Sequence, residues 1–314
     1  MIVITAPTGN IGSHLLTRLL DSDPAPEDLR VVVRDPARLP DVVRERVEVV
    51  TGSHGDPETV DRAFAGADAV FWLVPPDSSL TPEAAYSGFT RPAAKALTRH
   101  GVGHVVGVSA LGRGTPAAGR AGLVTASLAM DDLIASSGVA YRALANPSFF
   151  ENLLEEADTI RENGVFVDCL DADRKAPLVA VADIAATAAS LLLDRTWTGV
   201  GSVPVLGPQD LSPTDLARIM TEQLGRPVRY ERQSYDDLHA ALVGYGLDKE
   251  FAQGVVDMKR AKDEGLDAGV PRTDAHASPA TTSTTTSTTT TTTTATATTF
   301  EQWCARVLKP AVRA

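Results

Sequence analysis

Apolar and polar positions follow a recurring order along this chain: an unbroken apolar run, a loop of small residues, then apolar residues at helical spacing. Met1–Thr5 is the first such run, apolar or β-branched throughout, the pattern of a strand buried on both faces. Ala6-Pro7-Thr8-Gly9-Asn10-Ile11-Gly12 follows, too poor in helix formers to be other than a tight loop. Ile11, Leu15, Leu16, Leu19 and Leu20 then recur at helical spacing, with Arg18 and Asp21 on the other side. The runs 29–33, 47–50, 69–74, 105–108 and 138–144 read as five further strands. Pro57 opens a helix with Val60, Ala63 and Phe64 inward, and further helices are expected about 84–99 and 123–136. Strands alternating with helices predict an α/β fold built on a doubly wound parallel sheet.

Composition narrows the class. The chain has 314 residues, enough for one large α/β domain and a smaller one; 43% are hydrophobic and 22% charged, ordinary globular material. A formal net charge of −11 argues against a nucleic-acid-binding surface. Cys169 and Cys304 have no ligand spacing and read as reduced thiols, and no metal site is expected. With a strand expected from residue 2 and no apolar run of spanning length, no targeting segment and no membrane partner are expected, and the location expected is cytoplasmic.

Strand, glycine loop and helix in that order make a phosphate cradle, because free N–H groups and the positive end of the helix dipole point above Thr8, Gly9, Asn10, Ile11 and Gly12. The spacing is that of a dinucleotide fingerprint with Ala6 in place of the first glycine. Alanine adopts φ > 0 only at a cost, so the loop is expected to stay tight with residue 6 in the β region. The second strand then indicates the cofactor. Arg34 is the first residue past Val33 and Arg38 lies four further on, where arginine accommodates the 2′-phosphate of NADP; Asp35 is one position late for binding an NAD ribose and reads as the start of a turn. Strand ends on this side face the cofactor, which brings in Val74 and Pro75 after the fourth strand and Pro147 and Phe149 after the sixth. His54, isolated among small polar residues, reads as a loop histidine.

The chain resembles the NmrA-like family, atypical members of the short-chain dehydrogenase/reductase superfamily. The matching pieces are Thr8-Gly9-Asn10-Ile11-Gly12, Val33-Arg34-Asp35-Pro36-Ala37-Arg38, Ser109-Ala110-Leu111-Gly112, Pro147-Ser148-Phe149-Phe150-Glu151-Asn152 and Val181-Ala182-Asp183-Ile184-Ala185. Segments 206–212 and 225–228 resemble the family's small C-terminal domain, and 299–303 its closing helix. The resemblance implies an NADP(H)-binding Rossmann domain over 1–150 plus 177–195. It implies a smaller α+β substrate lobe over 151–176 plus 196–277. The Thr-rich tract 278–299 reads as a flexible linker before a C-terminal helix over 300–314.

The superfamily's usual acid, Tyr-x-x-x-Lys on the helix after the fifth strand, is missing: that helix has neither residue, and Ser127 stands where many relatives carry lysine. Tyr245–Lys249 satisfies the spacing on a glycine-interrupted segment and reads as chance. Ser109 falls where the superfamily's catalytic serine would, or caps a turn; Asn146, where relatives often have arginine, could donate to substrate. Tyr141 reads as core, and Phe149, Phe150, Tyr230 and Trp197 as aromatic wall candidates. A quinone or conjugated enone needs only modest acid assistance, so the reading is an NADPH-dependent reductase of such a small molecule. The alternative is a non-catalytic NADP(H) sensor acting through a protein partner, and a homodimer is left open.

Overall fold

The computed structural model describes residues 1–22, 28–272 and 297–313. Twelve strands run in chain order among the described residues: β1 (Ile2–Thr5), β2 (Leu29–Val33), β3 (Glu48–Thr51), β4 (Ala69–Trp72), β5 (His104–Ala110), β6 (Ala140–Asn146), β7 (Ser148–Phe149), β8 (Val165–Asp168), β9 (Ala176–Val179), β10 (Val200–Pro204), β11 (Asp210–Leu211) and β12 (Arg229–Arg232). The helices are α1 (Asn10–Leu20), α2 (Asp41–Arg44), α3 (Pro57–Phe64), α4 (Phe89–His100), α5 (Leu123–Ala135), α6 (Ala157–Asn163), α7 (Val181–Leu193), α8 (Pro213–Leu224), α9 (Tyr235–Gly244), α10 (Lys249–Asp263), α11 (Phe300–Trp303) and α12 (Lys309–Arg313).

Seven strands form a parallel sheet in the order β10-β6-β5-β4-β1-β2-β3, which reverses direction at β1 and so opens a crevice at the carboxyl ends of β1 and β4. Alternation along β1 explains the two layers. Ile2 and Ile4 join Leu15, Leu16 and Leu19 of α1 and the alanine-rich face of α7, whose Ala185 and Ala188 allow close approach. Val3 faces the other side with Val60 and Phe64 of α3, Leu97 of α4, and Met130 and Ile134 of α5. Tyr141 is buried in that second layer, as its mid-strand place suggested.

Two sequence-derived boundaries move. Val200–Pro204 pairs in parallel with β6 and completes the main sheet, although residues from 196 onward were expected in the lobe; Gly201, Ser202 and Pro204 make it a weak edge strand that apolar pattern does not reveal. Conversely, β9 leaves the main sheet and joins β7 and β11 in a small lobe sheet. The lobe core gathers Phe150, Ile160, Phe166, Ile219 and Met220 with Phe300, Trp303 and Leu308 of the C-terminal helices. Most of the threonine tract lies outside the described residues. Its last members are folded: Thr298 donates to Asp183 through its N–H (2.7 Å) and its hydroxyl (3.0 Å), and Thr299 caps α11. Among the described residues no helix is long and apolar enough to cross a membrane.

Candidate active site

The loop after β1 turns on Ala6, the one non-glycine residue with positive φ (+49°) among those described. The expectation that residue 6 keeps a β conformation is therefore overturned: the loop is tight because Ala6 accepts left-handed backbone, which aims its carbonyl at Gly9 N–H (3.1 Å). The same carbonyl closes against α1, where a Cβ at Gly12 would lie 2.1 Å from Ala6 O. Gly9, the N-cap of α1, receives no side-chain cap, so the first N–H groups of the helix stay open above an exposed Gly9–Asn10 edge. A side chain caps α3, α8, α9, α10 and α11 (Asp56, Ser212, Ser234, Asp248 and Thr299), whereas α5 and α7 share the bare start of α1. An uncapped helix start with space kept clear by Gly12 fits a dinucleotide pyrophosphate.

Arg34 and Arg38 are both exposed past the end of β2, and neither makes an ion pair among the described residues. Asp35 starts the turn as expected, its carboxylate accepting from Ala37 N–H (3.0 Å). Across the crevice, Thr5 ties β1 to β4, donating to Phe71 O (2.9 Å) and accepting from Leu73 N–H (3.0 Å). This fixes the chain that runs on to a buried Val74 and an exposed Pro75. His54 is more than a loop residue. It is buried edge-on against Trp72 and Phe89, and its Nε2–H donates to Leu73 O (2.9 Å). Burial, with the Arg34 charge adding to it, pushes its pKa down to about 4, so the ring is neutral at pH 7.

At the other end, β5 and β6 run in register to their last residues, pairing Ser109 with Ala145 and Ala110 with Asn146. Ser109 Oγ donates to Asp131 Oδ2 of α5 (2.6 Å), and Tyr141 donates to Asp131 Oδ1 (2.6 Å). Arg113 reaches Asp131 Oδ2 more loosely (3.4 Å). Burial raises the Asp131 carboxyl pKa, although all three donors pull it back, and burial beside that carboxyl holds the Tyr141 phenol well above its usual value. The Ser109 proton is thus directed to α5 and not to the crevice. Asn146 is also buried; its amide N–H groups bridge Ser109 O (3.1 Å) and Leu144 O (2.8 Å), while Oδ1 has no partner. The expected donor therefore presents an open acceptor, because the two nearby carbonyls claim its N–H groups.

Past Asn146 the chain alternates. Phe149 packs beside the α1–α7 core, and Ser148 faces α10, where it accepts from Lys262 Nζ (2.9 Å). Lys262 and its neighbour Asp267 escaped the sequence reading, because only tertiary packing brings residues 262–267 over the ends of β5 and β6. Leu266 marks that contact, within 2.8 Å of where a Cβ at Gly112 would lie. Glu151 closes the motif, accepting from Val181 N–H (3.0 Å) at the start of α7 and from Trp303 Nε1–H (2.9 Å). Three aromatic wall candidates are packing residues: Phe150 lies in the lobe core, Tyr230 donates to Asp168 O and Leu170 O, and Trp197 meets His104 edge to face and lies under the Arg142 guanidinium at the opposite end of the sheet.

A family model described as NAD(P)H-binding matches residues 7–195. Over 247 residues the chain is 32% identical to a (4-alkanoyl-5-oxo-2,5-dihydrofuran-3-yl)methyl phosphate reductase of Streptomyces griseus, covering 77% of this chain and 80% of that one. It is 29% identical to quinone oxidoreductase 2 of Escherichia coli, over 86% and 89% of the two chains. The structure of an Escherichia coli NADPH-dependent quinone oxidoreductase complexed with NADPH superposes with a TM-score of 0.70 at 27% identity, covering 85% of this chain and 90% of that one.

Proposed function

Because the chain belongs to the NAD(P)H-binding family, we propose that it is an NADPH-dependent reductase of a quinone-like or conjugated carbonyl small molecule. The observation that carries the choice of acceptor is the fate of Ser109. Its hydroxyl oxygen lies 2.6 Å from Asp131 Oδ2, to which it donates, and α5 offers neither tyrosine nor lysine beside it. An acceptor whose charge spreads over a π system suits such a site, since it asks little acid assistance at the rim. The relatives are named as reductases of acceptors in this range.

The open N–H groups of Asn10 and Ile11 would hold the pyrophosphate, with Thr8 and Gly9 beside them and Gly12 keeping the helix close. Arg34, helped by Arg38, would hold the 2′-phosphate. Val74 and Pro75 would lie under the ribose, and Pro147 and Phe149 beside the nicotinamide end. When bound, NADPH supplies a hydride. Asn146 and Ser109 serve as positioning residues in this reading: the amide of Asn146 spans the ends of β5 and β6, and Ser109 anchors β5 to α5.

The reading is tested by following NADPH oxidation over a panel of quinones, enones and simple ketones. Turnover of quinones or enones and none of simple ketones is expected. Tight NADPH binding with no oxidation of any acceptor would replace the enzyme by a dinucleotide-binding sensor.

A further inference from the structure

We propose that Ser148 and Lys262 form a proton relay, in which the Ser148 hydroxyl gives its proton to the acceptor oxygen and the Lys262 ammonium restores it. This rests on the reductase reading above and supplies the donor that α5 lacks.

Ser148 stands two residues beyond Asn146, just past the carboxyl end of β6 and on the same edge of the parallel sheet as the crevice at β1 and β4. Because Lys262 Nζ donates to its oxygen at 2.9 Å, the serine's own proton is uncommitted among the described residues. Lys262 is about nine-tenths buried. Its ion-pair partner Asp267 is 3.7 Å away, beyond hydrogen-bonding reach, and Asp267 Oδ1 is buried with no donor at all.

One turn earlier on α10, Lys259 shows what a closed pair looks like, its Nζ 2.7 Å from Asp168. A structural ion pair offsets desolvation only when its geometry is good. Lys262 has poor geometry toward its carboxylate and good geometry toward a hydroxyl at the crevice, which is the arrangement a proton supplier needs.

The surroundings agree. Burial lowers the Lys262 pKa from the usual lysine value and Lys259 adds to this, while Asp267 and Asp168 oppose it. Asp267 is itself raised by burial, held down by Lys262 and by Arg174. A lowered amine pKa brings release and recapture of a proton toward neutral pH.

The balance closes. The acceptor gains a hydride, two electrons with one hydrogen nucleus, from the reduced dinucleotide, and one proton at oxygen. The Ser148 O–H bond breaks as the acceptor O–H bond forms, a Lys262 N–H proton remakes the serine hydroxyl, and water reprotonates the amine.

The test compares wild type with Ser148→Ala, Ser148→Thr, Lys262→Met and Lys262→Arg, using menadione and 1,4-benzoquinone as acceptors. We expect Ser148→Ala and Lys262→Met to lose on the order of a hundredfold in kcat with KM little changed, and Ser148→Thr to retain turnover. As pH rises through the Lys262 pKa the donor is lost, so wild-type kcat should show an alkaline limb below the ordinary lysine range. Lys262→Arg, which keeps the charge but gives up no proton, should turn over slowly without that limb. A second readout needs no turnover: ¹³C NMR titration of the reductively methylated protein, with the Lys262 signal identified by its absence in Lys262→Arg. Lys262 should titrate below the other lysines. Turnover within threefold of wild type in folded Ser148→Ala and Lys262→Met, or Lys262 titrating with the surface lysines, would overturn the relay alone. A wild type that reduces no quinone or enone would overturn the reductase reading and the relay with it.

Discussion

The carbonyl oxygen of Ala6 occupies the place a side chain at Gly12 would need, 2.1 Å from the position of its Cβ. The obstacle is backbone and cannot swing aside. Gly12→Ala should therefore push α1 off β1 and weaken NADPH binding at least tenfold, measured by titration of a protein that circular dichroism shows to be folded. Ala6→Gly acts in the opposite sense. Left-handed alanine costs about 1–2 kcal/mol and the greater freedom of unfolded glycine takes back about 0.5–1, so a net change between about 0 and 1.5 kcal/mol in favour of the variant is expected in chemical denaturation.

Arg34 stands exposed past β2 with no ion-pair partner among the described residues. Losing a charge-assisted phosphate contact costs about 1.5–3 kcal/mol, or roughly ten- to a hundredfold in affinity. Arg34→Ala should thus weaken NADPH binding by that factor and leave NADH unchanged; calorimetric titration of both dinucleotides checks it, and equal wild-type affinities would count against the assignment.

Ser109→Ala removes a buried hydrogen bond to Asp131 and should cost about 1–3 kcal/mol of stability, with kcat reduced only a few-fold. The pH dependence tests the same cluster. Asp131 has a raised pKa when folded, so between the ordinary carboxylate range and that raised value the folded state binds more protons than the unfolded one. This group's contribution to stability therefore falls as pH rises through that window and is constant above it. Asp131→Asn should remove that slope in denaturant melts.

His54 gives the opposite slope. Its folded pKa of about 4 lies below the 6.5 of the unfolded side chain, so the unfolded state binds the extra proton between those values. Stability is complete above pH 6.5 and falls as pH drops toward 4, by about 3 kcal/mol in all at roughly 1.4 kcal/mol per unit. His54→Gln should flatten that acid limb, seen in urea midpoints at pH 7 and pH 5.

The sheet, the glycine cradle and the turn at Asp35 were legible because each is written locally: apolar runs, small residues and helical spacing lie within a dozen positions of one another. Three things were not. His54 sits among small polar residues, and only Trp72 and Phe89, brought from β4 and α4, bury it. Ser109 read as a catalytic serine or a turn cap because its partner, Asp131, comes from a helix more than twenty positions away. Lys262 lies more than a hundred positions from Ser148 (|i−j| = 114), within an ordinary charged helical stretch, and nothing in its neighbours marks it. Local pattern reports which element a residue belongs to; it does not report which distant element fills the space in front of it.

Glu151 joins the exit of β6 both to the start of α7 and to Trp303, and Phe150 beside it packs against Phe300 and Trp303. This has a consequence for the order of events during synthesis. The seven-stranded sheet is complete once residue 204 has emerged, and it can assemble while translation continues. The lobe cannot, because Phe150 waits for Phe300 and Trp303, which are made well after the sheet is complete. A nascent chain paused before Phe300 should display a finished dinucleotide cradle beside an unfinished lobe. Cofactor capture would then precede completion of the lobe.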